Sequence, residues 1–115
     1  MKIVYRNNGY KRWKMEKYNL KNLGNGITES WKSFNISQIN GNNVRFRVMQ
    51  DITANWHSHN ASDEFFYVIS GIVHLDTEDG THTLNTNELF IVPAKTKHRA
   101  RVEGKATLLV IDKIE

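Results

Sequence analysis

From about residue 30 the chain alternates apolar and polar side chains one by one. Phe34, Ile36 and Gln38 alternate with Asn35, Ser37 and Ile39, and Val44, Phe46 and Val48 with Arg45, Arg47 and Met49. A period of two puts one set of side chains on each face of an extended strand. FFYVIS (Phe65 to Ser70), LFIVP (Leu89 to Pro93) and ATLLVID (Ala106 to Asp112) add aromatic and β-branched runs of strand length. Turn chemistry falls between them. INGNNV (Ile39 to Val44) and Asp79–Gly80 are hairpin signals, NTNE (Asn85 to Glu88) is a turn, and Asp51–Thr53 reads as a break. A 3.6-residue apolar period nowhere persists beyond two turns. Residues 1–30 are the least legible, and one or two strands are expected there.

Seven or more short strands in 115 residues predict an all-β fold, either a closed barrel or a two-sheet jelly roll. The length fits one domain, with residues 31–112 as the barrel and 1–30 as an added arm. A single proline and seven glycines leave no room for a linker. At 39% hydrophobic and 24% charged residues, the composition is that of a folded chain.

Charge adds one asymmetry. Residues 1–32 hold eight Lys/Arg against Glu16 and Glu29, so this stretch carries +6 and the remainder −2, for a whole-chain +4. Tyr10, Trp13 and Tyr18 stand among those lysines. A nucleic-acid contact is one use for such an arm, but a solvated basic face is the simpler reading. The chain has no cysteine, which excludes disulfides, thiolate metal ligands and a thiol nucleophile, and fits a reducing cytoplasm. The first residues lack an apolar signal core and no run is long enough to span a bilayer, so a cytoplasmic protein is expected.

The chemistry concentrates in NWHSHNASDEFFYVISG, Asn55 to Gly71. On a strand, His57 and His59 point to the same side. Glu64 follows the turn formers Asn60, Ser62 and Asp63, and shares a strand face with Phe66, Val68 and Ser70. A tight connection there returns the carboxylate beside the imidazoles. His98, after Pro93 and a short loop, is a fourth candidate. Imidazoles with one carboxylate suit Fe(II), Mn(II), Ni(II), Co(II), Cu(II) or Zn(II), and suit Ca(II) poorly. Four such ligands on an octahedral ion leave two positions open for reaction. No serine-hydrolase, phosphate-loop or dinucleotide motif is present.

His57-x-His59, four residues, Glu64, six residues, Gly71 resembles the first motif of the cupin superfamily, and PAKTKH (Pro93 to His98) resembles the second. Three positions depart from the pattern: Lys95 and Asp51 stand where the family usually has glycine, and Val102 where it often has asparagine. These departures affect turns more than ligands, since all four ligand types survive. The resemblance implies a small single-domain cupin barrel that binds one divalent metal through His57, His59, Glu64 and His98. It also implies a homodimer, in some relatives built by exchange of an N-terminal strand. The activity expected is metal-dependent chemistry on a small organic molecule, by a dioxygenase or an isomerase/lyase. The alternative is a non-catalytic module that binds a small ligand. Glu64 is either a ligand or the catalytic base. Phe66 and Arg47 are candidate substrate contacts, each with a plain alternative in the core or in solvent. His74 and His82 flank the Asp79–Gly80 hairpin, close enough in sequence to face each other across it; they are read as surface residues, with an inward orientation of either as the alternative, and Trp56 as a core residue between the sheets.

Overall fold

A computed structural model describes residues 15–114, together with the backbone of two short strands, β1 (Val4–Tyr5) and β2 (Lys11–Arg12). β1 and β2 pair antiparallel. Tyr10, Trp13 and the basic residues Lys2, Arg6 and Lys14 lie outside the described residues. Then come helix α1 (Leu20–Gly24) and strands β3 (Trp31–Ile39), β4 (Asn42–Thr53), β5 (Glu64–Ser70), β6 (Val73–Thr77), β7 (Gly80–Leu84), β8 (Leu89–Val92) and β9 (His98–Lys113).

The fold is the expected all-β jelly roll. Five strands pair in the order β3-β4-β9-β5-β8. The first half of β9 turns away from that layer to pair with β6, which pairs with β7. HRARV and ATLLVID are therefore one strand that serves both layers. Gly104, at φ 73°, marks the bend, and the end of β4 follows it through Ile52↔Val102 and Thr53↔Arg101. Between the layers lie Met49, Phe66, Val68, Val73, Leu75, Leu84, Val92, Ala100, Val102, Ala106, Leu108 and Val110, all buried. Nearly all sit at alternating positions of their strands, as the period of two requires.

The turns carry out the sequence's instructions. Asn40 and Gly41 both take positive φ (49° and 79°) in the β3–β4 hairpin, the handedness that matches strand twist. Asn87 does the same before β8, at φ 70°. The expected break at Asp51 is a β-bulge within β4, where register shifts between Gln50 and Ile52. Asp51 has φ 45°, and its Oδ1 accepts the Gly104 N–H at 2.7 Å. Its side chain thus ties the bulge of β4 to the bend of β9.

One helix is added to the strands expected in residues 1–30, and two expectations are corrected. A five-residue helix, too short to show a period, covers part of the outer sheet face. Asn19 caps it by accepting the Asn22 N–H at 3.0 Å, and Gly24 lies so close to the Phe46 ring that an added Cβ would meet it at 3.2 Å. Trp56 is not in the core: 43% of it is exposed, and the Arg99 guanidinium lies 4.9 Å from its ring centre. His74 and His82 do not oppose each other, because the register is His74↔Thr83 and Leu75↔His82. His74 meets Thr83 Oγ1 through Nδ1 at 2.9 Å, while His82 is half-buried and stacks on Phe90, with ring centres 4.6 Å apart.

Asp76 anchors the outer side of the smaller layer. Its carboxylate accepts from Arg99 Nε at 2.8 Å, Arg101 Nε at 2.6 Å and Thr81 Oγ1 at 2.7 Å. Hydrogen bonds from Arg101 are the main reason its pKa falls well below the usual carboxylate range.

Gly71 carries the sharp turn from β5 into β6. It has φ 79°, and a Cβ would overlap the carbonyl oxygen of Lys105 and lie 2.9 Å from Ala106 Cα. Gly71→Ala is expected to destabilise the fold by about 2–4 kcal/mol, from backbone strain and overpacking together. Equilibrium denaturation of the two proteins checks this.

Candidate metal centre

The stretch around His57 and His59 is not the strand that the histidine spacing suggests. Only His57 makes a bridge, through two backbone hydrogen bonds with His98: His57 N to His98 O and His98 N to His57 O, each 2.9 Å. That bridge joins the two histidine-bearing segments. Two further bonds fasten the loops around it. Lys95 N donates to His59 O at 2.6 Å, and Ala94 N donates to Asp63 Oδ1 at 2.9 Å. Lys95 has φ 67°, so the left-handed conformation survives at a position where the cupin pattern has glycine.

Glu64 opens β5 on the inner face, opposite Val92 on one side and Asp112 on the other. It is buried, with 3% exposure. Its Oε1 lies 2.7 Å from His98 Nε2, 3.3 Å from His59 Nε2 and 3.5 Å from His57 Nε2. One ligand atom from each of the four residues falls within 4.8 Å of all the others. All four residues expected as ligands therefore converge. His98 is buried, His59 is partly covered and His57 stands at the opening.

The proton positions decide what this cluster can hold. His98 Nδ1 lies 2.8 Å from the Thr96 carbonyl and His57 Nδ1 lies 3.1 Å from the Asn55 carbonyl. A carbonyl oxygen only accepts, so both Nδ1 atoms carry the hydrogen, and in a neutral ring Nε2 is then a bare lone pair. Those lone pairs face a carboxylate, which also only accepts. The arrangement needs a cation in the middle, either shared protons or a metal ion. Backbone carbonyls that fix Nδ1–H are the usual support for metal-bound histidine.

Without metal, protons take that role. Burial pushes the Glu64 carboxyl up, but contacts with His57 and His98 and the neighbouring imidazole charges outweigh it and hold the group well below its usual range. The same Glu64 contact raises His57, against burial.

The cluster opens into a cavity of about 360 Å³ lined in part by Trp31, Arg45, Arg47, Asn55 and Asp112. Arg47 is at the cavity, as one of its two sequence readings had it. Phe66 is not: it is 1% exposed, belongs to the core and packs edge-on against the His98 ring at 5.9 Å, so it supports the site from below. Sequence reasoning missed Trp31, Arg45 and Asp112. Arg45 shares a strand face with Arg47, and that was the one available signal.

A small β jelly roll with three imidazoles and a carboxylate gathered at its mouth defines a cupin-type barrel. Residues 44–112 match the sequence profile of the cupin domain family, and the chain belongs to that family. It is 36% identical to the uncharacterized protein YdbB of Bacillus subtilis (strain 168) over 95 residues, which cover 82% of this chain and 83% of YdbB. Among solved structures it resembles NMB1881 of Neisseria meningitidis, at 28% identity and a TM-score of 0.73, over 86% of this chain and 100% of that one. It also resembles a cupin-2 domain protein of Shewanella frigidimarina, at 20% identity and a TM-score of 0.77, over 84% and 94% of the two chains. Among the described residues, no helix is long and apolar enough to cross a membrane.

Removal of single ligands separates binding from folding. His57→Ala is expected to abolish stoichiometric metal binding with little loss of stability, because His57 is exposed. His98→Ala is expected to abolish it too and to cost about 2–3 kcal/mol, since it leaves the buried Glu64 without its closest partner. Metal analysis and thermal unfolding of both variants test this.

The pKa directions give a pH dependence. His57 is raised above its ordinary 6.5, so its contribution is full below that value and is lost as pH rises through the raised one. Glu64 is lowered from 4.5, so its contribution is present above 4.5 and is lost as pH falls through the lowered one. Metal-free protein is expected to be most stable between these limits and to weaken towards alkaline pH. A bound ion displaces the His57 proton, so metal affinity is expected to rise with pH over the same range in which metal-free stability falls. Melting curves with and without added Zn(II) across that range are the measurement.

Proposed function

We propose that this protein is a metal-dependent enzyme acting on a small organic molecule, with one divalent transition-metal ion held by His57 Nε2, His59 Nε2, His98 Nε2 and Glu64. The observation that carries this reading is the set of inward lone pairs around a buried carboxylate, fixed by Nδ1–H bonds to Thr96 and Asn55. A neutral imidazole and carboxylate donor set suits iron, manganese, nickel, cobalt, copper or zinc. When bound, such an ion polarises a substrate oxygen or activates dioxygen.

The chain's own residues supply the rest. Exposed His57 sits at the opening, where a ligand enters. Buried His98 and Glu64 form the floor and keep water from that side. Glu64 would help hold the ion and is also the carboxylate placed at the cavity to take a proton from a bound substrate. The catalytic role of Glu64 and the cytoplasmic location belong to this proposal.

Two measurements on protein purified from its native source test the reading. Metal analysis is expected to find one transition-metal ion per chain, and none sinks the proposal. Oxygen uptake in the presence of small organic acids assigns a dioxygenase if it is substrate-dependent, and an isomerase or lyase if turnover proceeds without it. Glu64→Gln is expected to keep much of the metal and to lose turnover by about 100-fold or more, the size of a general-base contribution, whereas loss of metal and turnover together would mark Glu64 as a ligand alone. Unchanged turnover in metal-loaded Glu64→Gln would remove Glu64 from the chemistry.

A further inference from the structure

Two arginines enter the cavity from the inner face of β4, and they are not equivalent. Arg45 Nη1 and Nη2 lie 3.3 Å and 3.1 Å from Asp112 Oδ2 and Oδ1, so its charge is matched. Among the described residues Arg47 has no such anion. Its guanidinium lies over the Trp31 ring, 4.3 Å from the centre, and its buried Nε has no hydrogen-bond partner among the described residues. Burial pushes its pKa down to about 10, against the more distant pull of Glu64. A half-buried guanidinium at a cavity wall with a buried, unused Nε donor is costly unless an anion arrives to meet it.

The charges around the cavity point the same way. Arg45 and Arg47 balance Glu64 and Asp112. Neutral imidazoles add nothing, so a divalent ion leaves the cavity with an uncompensated double positive charge, and an entering ligand offsets it best as an anion with a second oxygen for the metal. About 360 Å³ admits a compact molecule only. Arg47 offers one planar fork and no neighbouring free cation among the described residues of the cavity, which fits a planar carboxylate better than a phosphate with three oxygens to satisfy.

The geometry points to a small carboxylic acid as the ligand of this site, its carboxylate held by Arg47 over Trp31 and a second oxygen, hydroxyl or carbonyl, turned towards the metal centre. This rests on the metal-dependent reading above and adds to it the substrate class and the residue that selects it. Trp31 is a positioning residue: it covers one face of the guanidinium and so holds the fork in one plane.

Isothermal titration calorimetry with lactate and with lactamide, its neutral counterpart of nearly equal shape, tests the inference on Zn(II)-loaded and metal-free protein. Lactate is expected to bind loaded wild type at least about tenfold more tightly than lactamide. Arg47→Gln is expected to erase most of that ratio while zinc stoichiometry stays at the wild-type value. Arg47→Lys, which keeps the charge without the fork, is expected to retain part of it and covers the case in which Arg47→Gln folds poorly. The Arg47-dependent part of the ratio is expected to persist in metal-free protein. Equal affinities in wild type, or a ratio unchanged in Arg47→Gln, overturn the proposal even if zinc binds normally. Inorganic phosphate binding more tightly than lactate in an Arg47-dependent way overturns the carboxylate assignment. Failure of wild type to bind zinc overturns the metal reading instead, and the metal-free comparison then judges Arg47 alone.

Discussion

Two backbone hydrogen bonds between His57 and His98 hold the site together. They close a bridge between segments far apart in sequence, one of which is otherwise loop. Once His57 and His98 are neighbours, the rest follows from local geometry. Each imidazole spends its Nδ1–H on a carbonyl two residues before it, Asn55 in one case and Thr96 in the other. Both Nε2 atoms are thereby aimed at the point where Glu64 begins its strand. The carboxylate is buried because Glu64 alternates with Phe66 and Val68 on the core face of β5. A charged group in that position is tolerable only with cationic company, which protons or a metal ion supply.

The barrel around this bridge is stiff where the site needs it. Phe66 backs the His98 ring, and β9 carries His98 at one end and Asp112 near the other, so one strand sets both the metal cluster and the partner of Arg45. The opposite wall comes from β3 and β4, whose inner-face residues Trp31, Arg45 and Arg47 line the cavity. The pairing of Arg45 with Asp112 leaves Arg47 without a close anion among the described residues of the cavity. The cavity is thus polarised: a ligand centre on one side, a stacked guanidinium on the other.

The turns show how departures from a family pattern are absorbed. Asp51 and Lys95 stand at positions where glycine is usual, yet both adopt positive φ. Each is compensated by a hydrogen bond across the fold: Asp51 Oδ1 accepts from Gly104, and Lys95 N donates to His59 O. Gly71 could not be replaced in this way. The backbone of β9 lies against it, and there is no space for a Cβ whatever the φ.

The sequence by itself settled much. Single-residue alternation placed the strands and Asn40–Gly41 and Asp79–Gly80 placed two hairpins, because these are properties of residues close in the chain; the four ligand-type residues were legible from the family pattern, which ties His98 to the distant His57, His59 and Glu64. It misread the stretch around His57 and His59 as strand, since two histidines at i and i+2 look alike on a strand and in a loop stapled by one bridge. It placed Trp56 inside, since parity along the chain does not say which face has a layer over it. It left the orientation of Arg47 open, because register across the bulge at Asp51 is decided by Ile52↔Val102, a pairing over a long separation. Tertiary structure alone decided that Arg45 meets Asp112 and Arg47 does not. Charge pairing is a matter of distance in space, and no local rule of sequence contains it.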